Sequence, residues 1–225
     1  MKGCLNKGLI IFLFTGMCIA VAYYFNTKEK ALPVLSPRQV NPLLVDKELR
    51  DRINHKVSGF QFTDQEGNST DSLFVQGKIH VADFFFTTCQ TICPIMTGKM
   101  GIVQERFKEN ENVRFLSFSV LPEQDSASVL SSYASAYEIP YDQWRLLTGE
   151  RKDIYSLARR SYFTLKPAET GQGDGGMSDF IHTNNFVLVD DRAQIRGYYD
   201  GTSDLEMDRL TKDIKSLLKE FSQPK

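Results

Sequence analysis

The chain has 225 residues, 41% of them hydrophobic, and a formal net charge of −1, which suits one globular domain of ordinary size plus an appendage. A balance so near zero lacks the concentrated basic face that nucleic-acid binding requires, so that class of function is set aside. The apolar content also excludes a largely disordered chain.

The appendage comes first. Residues 8–25 form an uncharged run of 18 residues behind Lys2 and Lys7. At 1.5 Å per residue a helix of that length reaches about 27 Å, just sufficient for a bilayer core. The lysines favour a cytoplasmic tail, and Tyr23, Tyr24 and Phe25 supply an interfacial aromatic belt ahead of Lys28 and Lys30. The expectation is therefore a retained anchor over residues 1–25 in a bacterial inner membrane, single-pass, with the soluble part extracytoplasmic or periplasmic. Two alternatives keep the same location: a signal peptide cut after Ala20-Val21-Ala22, and a lipoprotein modified at Cys18, whose neighbours Thr15 and Met17 suit that cut poorly. Cys4 in the tail and Cys18 in the span are removed from any chemistry of the soluble part.

Residues 26–54, with Pro33, Pro37 and Pro42 among polar and charged residues, read as an extended tether. The domain proper is expected over 55–222. Residues 59–63 alternate at period 2 into a turn cluster at 64–68, a hairpin signal. Beyond it the pattern predicts strands at 79–86, 113–120 and 144–147, interleaved with helices at 93–109, 126–137 and 150–163. A second hairpin, 185–190 and 194–199 across Asp191-Arg192-Ala193, precedes a last helix at 204–221. This order describes a three-layer α/β domain with a mixed sheet.

The chemistry concentrates in Asp83-Phe84-Phe85-Phe86-Thr87-Thr88-Cys89-Gln90-Thr91-Ile92-Cys93-Pro94-Ile95-Met96, an apolar strand that delivers two cysteines to the start of a helix. The unpaired N–H groups and positive dipole end of a first helical turn favour thiolate over thiol. Cysteines at i and i+4 share one helical face, so both sulfurs can address one ion, whereas redox dithiols commonly sit at i and i+3. A plain structural disulfide is the competing explanation.

Three histidines are available as a further ligand. His55 lies in a polar stretch and His80 within a strand, where alternation makes it a half-buried spacer; both read as structural. His182 follows a glycine-rich loop at 169–178 and immediately precedes the strand at 185–190, the setting in which binding residues gather. Met96 and Met100 add soft sulfur nearby, but their helical spacing reads as packing.

A dithiol at the head of the first helix of such an α/β order resembles the thioredoxin fold, with a longer cysteine spacing and with His182-Thr183 where thioredoxins place a proline facing the sulfurs. A histidine facing two thiolates is a ligand set for a soft metal. Taken together, the motif around Cys89 and Cys93, the pair His182-Thr183 and the strand ending in Val189-Asp190 make the chain similar to the Sco/SenC family of membrane-tethered, thioredoxin-like copper proteins over about residues 33–221. The resemblance implies that Cys89, Cys93 and His182 bind one copper ion, Cu(I) or Cu(II). It also implies a role in assembling the copper centre of cytochrome c oxidase, with its copper-receiving subunit as partner and other copper chaperones or thiol reductants beside it. Two positions depart from the family pattern: Ile181 before His182 and Leu121 before Pro122 stand where many members have aspartate.

The donor set agrees with copper on general grounds, since two thiolates and an imidazole satisfy Cu(I), and Cu(II) with a weaker fourth oxygen; zinc accepts the same donors. The leading expectation is a chaperone that passes on its ion by ligand exchange, not a turnover enzyme. The alternative is an extracytoplasmic thiol-disulfide oxidoreductase in which Cys89 attacks and Cys93 resolves. A peroxidase on the same fold is disfavoured by the residues before Cys89, where Thr88 is directly adjacent and no proline precedes in the peroxiredoxin manner.

Overall fold

The computed structural model describes residues 8, 9, 11–19, 31–41, 44–164 and 184–222, which fall into two compact units divided after Ala31. In the first, residues 8, 9 and 11–19 are helical and exposed. No helix among the described residues is long and apolar enough to cross a membrane, and the second part of the expected span, 20–25, lies outside them.

The second unit is built on one seven-stranded sheet. Its strands are β1 (Gln61–Asp64), β2 (Ser69–Asp71), β3 (Ile79–Phe85), β4 (Val113–Ser119), β5 (Trp144–Thr148), β6 (Asn185–Val189) and β7 (Ile195–Asp200). Four helices accompany them: α1 (Ile92–Glu105), α2 (Ala127–Ala136), α3 (Arg151–Arg160) and α4 (Asp204–Phe221). The spatial order is β2-β1-β5-β4-β3-β6-β7, with β3, β4 and β5 parallel and the other pairings antiparallel. The mixed sheet and flanking helices are those expected from the sequence.

β3 sits between β4 and β6 and every one of its residues is buried, as a strand covered on both faces must be. Its odd positions Ile79, Val81 and Phe85 join a core with Met96, Met100 and Val103 of α1, Leu130 of α2, and Leu210 and Ile214 of α4. Ala82 and Phe84 face the opposite way, into a core with Phe118, Ile154, Tyr162 and Val187. Among the described residues, three helices thus cover one face and α3 covers the other.

That imbalance explains a difference from the tether expected over 26–54. From Leu32 onward the chain belongs to the compact unit, and Val40, Val45 and Leu49 are buried in the core that α3 leaves partly open. Backbone bonds fasten the strap, Leu35 N–H to the Ile195 carbonyl and Val57 N–H to that of Ala193, both at 2.8 Å. Arg196 clamps it further: the buried guanidinium binds Asp190 at 2.9 Å, Glu220 at 2.9 Å and the Leu32 carbonyl at 2.6 Å.

Helix ends account for the small boundary shifts. α2 and α4 are capped by Ser126 and Ser203, whose hydroxyls accept the N–H groups of Val129 and Glu206. α3 stops at Arg160 rather than 163 because Phe163 adopts a left-handed φ of 51°, letting the Tyr162 and Thr164 N–H groups return to the Leu157 and Ala158 carbonyls.

Candidate metal centre

β3 runs out at Phe85, and residues 86–89 turn back through a bond from the Cys89 N–H to the Phe86 carbonyl at 3.3 Å. α1 then starts at Ile92 with no side-chain cap from Thr91, whose φ and ψ of −115° and −80° lie outside the usual capping conformation. The vacant capping role falls to sulfur. The backbone N–H of Cys93, second residue of the helix, points at Cys89 Sγ at 3.5 Å, and the Thr91 hydroxyl lies 3.6 Å from the same atom. Pro94 follows in the first turn, where a missing N–H costs nothing.

The two thiols are both free and differ sharply in character. Cys89 is 9% exposed and Cys93 only 2%. Burial raises the Cys89 thiol, but the N–H groups of Cys93 and Thr91 and the Cys93 thiol and Thr91 hydroxyl outweigh it and bring it down to about 7. Burial pushes the Cys93 thiol up to about 12, with Cys89 adding to the effect. One sulfur is therefore a ready thiolate at the rim, and the other a protonated reserve behind it.

A buried acid shares this face of the sheet. Asp83 is 2% exposed, is lifted by burial to about 7 against a hydrogen bond from Ser117, and keeps Oδ1 without a partner among the described residues. On the opposite face His80 is fully buried, not half-buried as expected, because both faces of β3 are covered. Its Nε2 pairs with the Tyr162 hydroxyl at 3.0 Å, and burial lowers its imidazole to about 3, so it is a neutral core residue. His55 likewise serves packing, with Nε2 2.8 Å from the Ser161 carbonyl and its ring 4.4 Å from that of Phe163. Met96 and Met100 are buried in the core.

His182 lies outside the described residues, and among those described no group of three His, Cys, Asp or Glu side chains is placed to hold a metal. The structure brings Cys89 and Cys93 together and leaves their third partner to be inferred. It also shows where β6 begins. β6 pairs antiparallel with β3, Ala82 opposite Val187 and His80 opposite Val189, so Asn185 lies at the end of the sheet from which β3 delivers Cys89.

Residues 50–219 match the SCO1/SenC family. The chain belongs to the SCO1/SenC family. It is similar to the SCO1 protein homolog of Bacillus subtilis, 33% identical over 172 residues that cover 76% of this chain and 86% of that one. Among solved structures it resembles BsSco, described as a member of the Sco family of cytochrome c oxidase assembly proteins with a disulfide switch. That match has 34% identity and a TM-score of 0.60, covering 74% of this chain and 95% of the other. Bradyrhizobium japonicum ScoI, solved with copper bound, shares the fold at 23% identity and a TM-score of 0.57, covering 73% of this chain and 99% of ScoI. These likenesses agree with the thioredoxin-like family fold expected from the sequence.

Sequence reasoning left two contributors to this centre without a role. Thr87 and Asp125 are joined at the base of the Cys89 turn, across a separation in sequence that no local motif spans.

Proposed function

We propose that this protein is a membrane-tethered, extracytoplasmic copper carrier that serves assembly of the copper centre of cytochrome c oxidase, holding one ion on Cys89, Cys93 and His182. The observation that carries the proposal is the sulfur pair itself: a thiolate-prone Cys89 at the rim within reach of the Cys93 backbone, at the end of the sheet where β6 begins. His182 precedes Asn185 by three residues, so an extended chain keeps it within about 11 Å of that position. Two thiolates and an imidazole suit copper as a cargo that must leave again, and Cys89, itself buried but flanked by exposed Thr88 and Gln90, is placed for ligand exchange with a receiving protein. The copper bound to one structural relative and the oxidase-assembly family of another support the same reading. Membrane attachment rests on residues 8–25 and the flanking lysines, not on the fold.

Deleting the gene in a host that depends on this chain should lower cytochrome c oxidase activity, with recovery on returning the parent chain and none with Cys89→Ser. Normal oxidase in the deletion strain would sink the proposal. Protease added to spheroplasts should remove the domain while carbonate fails to extract the intact chain.

A second reading has its own support in the unequal thiols. A thiolate at Cys89 can attack a partner's disulfide, forming a mixed disulfide and releasing one partner thiol. Cys93 then loses its proton and attacks Cys89 Sγ, leaving an internal disulfide and the second partner thiol. Such a cycle would return a disulfide of the receiving copper centre to its two thiols and needs no imidazole, so His182→Ala separates the two readings.

A further inference from the structure

Asp125 is completely buried just ahead of α2, and among the described residues it has no ion pair. Its oxygens are met by hydrogen bonds instead. Oδ1 accepts the Thr87 hydroxyl at 2.5 Å, and Oδ2 accepts the Ser119 hydroxyl at 2.5 Å and the Thr87 N–H at 3.2 Å. With its proton committed, Ser119 Oγ accepts the Leu121 N–H at 3.1 Å, and the Asp125 N–H closes the loop on the Leu121 carbonyl at 2.9 Å. In all three contacts the carboxylate is the acceptor.

Thr87 is the first central residue of the turn that ends at Cys89. Among the described residues, the hydrogen bonds that tie residues 87–91 to chain outside 86–93 both end on Asp125. The remaining bonds there are local: Cys89 to the Phe86 carbonyl, Thr91 to Cys89 Sγ, and Cys93 to Cys89 Sγ. The direction in which the turn presents its sulfur is thus set by Asp125 through Thr87.

We infer that Asp125 is a positioning residue for this centre: by gripping both the N–H and the hydroxyl of Thr87, it aims Cys89 Sγ at the amino end of α1 and so governs how readily that sulfur reacts and holds a soft metal. The metal half of this statement rests on the copper reading above; the thiol half does not. Asp64 provides an internal control. It too is a fully buried carboxylate, accepting the Glu66 and Asn68 N–H groups at 3.0 Å and the Thr70 hydroxyl at 2.7 Å, but it closes the β1–β2 turn, and in the sheet β1 is separated from β3 by β5 and β4.

The test uses the full chain, reduced and anaerobic, as parent, Asp125→Asn, Thr87→Val, Thr87→Ser and Asp64→Asn. Thermal unfolding, the rate of iodoacetamide alkylation at Cys89 at pH 7, and retention of Cu(I) against a chromogenic chelator are measured for each. Asp125→Asn and Thr87→Val should slow Cys89 alkylation on the order of tenfold, the scale of one lost charge-assisted hydrogen bond, and weaken Cu(I) retention in step. Thr87→Ser, which keeps the hydroxyl, should restore the parent rate, while Asp64→Asn should lower the unfolding temperature with little change at Cys89. Should Asp125→Asn fail to fold, Thr87→Val and Thr87→Ser carry the same comparison. Alkylation within twofold of the parent in the Thr87→Val chain and in any folded Asp125→Asn chain, or a slowing that Asp64→Asn reproduces, would overturn the inference. If alkylation shifts as stated while even the parent retains no Cu(I), the positioning role stands and the copper reading falls; if the parent retains Cu(I) and alkylation does not shift, the reverse holds.

Discussion

Cys93 donates its backbone N–H to the sulfur of Cys89 at 3.5 Å, so a side chain that precedes α1 does the capping that Thr91 does not. The helix terminus and the thiol therefore stabilise one another: the helix gains an acceptor for an otherwise unpaired donor, and the sulfur gains a dipole that favours its anion.

The first prediction follows from the inequality of the two thiols. Cys89 is brought down to about 7, so its thiolate fraction grows as pH rises through that value, whereas Cys93, pushed up to about 12, stays protonated throughout the neutral range. Pulsed alkylation of the folded, reduced chain between about pH 5 and pH 9 should label Cys89 with a midpoint near neutrality and leave Cys93 unlabelled. Equal labelling of both, located by peptide mass, would contradict the geometry.

Metal and disulfide compete for the same two sulfurs. Air-oxidised chain should lose two free thiols and its copper affinity together, and reduction should restore both. Cys89→Ser and Cys93→Ser should each abolish tight Cu(I) binding, since either leaves one sulfur. A mass spectrum joining Cys89 to any residue but Cys93 counts against the pairing.

His182→Ala should act differently from the cysteine substitutions. Cu(I) tolerates two thiolates, so part of its binding should survive, while Cu(II), which needs the nitrogen donor, should bind weakly and with an altered sulfur-to-copper charge-transfer band. An unchanged Cu(II) spectrum in His182→Ala would remove the imidazole from the site.

The strap gives a stability prediction that a free tether would not. Val45 is wholly buried in the core shared with α3, so Val45→Ala should destabilise the domain by about 2 kcal/mol, read from chemical denaturation. A change near zero would mean that residues 32–54 do not pack as described.

Most of this architecture was legible in the chain. β3 reads as a largely apolar run, broken only by His80 and Asp83, because both its faces are covered, and α4 declares itself through Ser203 as cap with Asp204 and Glu206 in its first turn. What escaped the pattern was set by tertiary need. The strap's Val40, Val45 and Leu49 are spaced among prolines and charges with no period, and they are buried because, among the described residues, a single helix covers that face of the sheet. Phe163 ends α3 in a left-handed conformation where no glycine or asparagine announces it. At the site, the spacing of Cys89 and Cys93 identified the pair, but their opposite shifts depend on which sulfur meets the helix terminus. The Thr87–Asp125 link joins residues 38 apart in sequence, which no local motif reveals.

Copper loading of the chain truncated before Ala31 tests the central claim most directly. Purified anaerobically and titrated with Cu(I), with free thiols counted in parallel, it should take up one copper per chain and lose the alkylation of Cys89. Failure to load either Cu(I) or Cu(II) with both thiols shown to be reduced, or loading that Cys89→Ser leaves unchanged, would contradict a copper centre built on these two sulfurs.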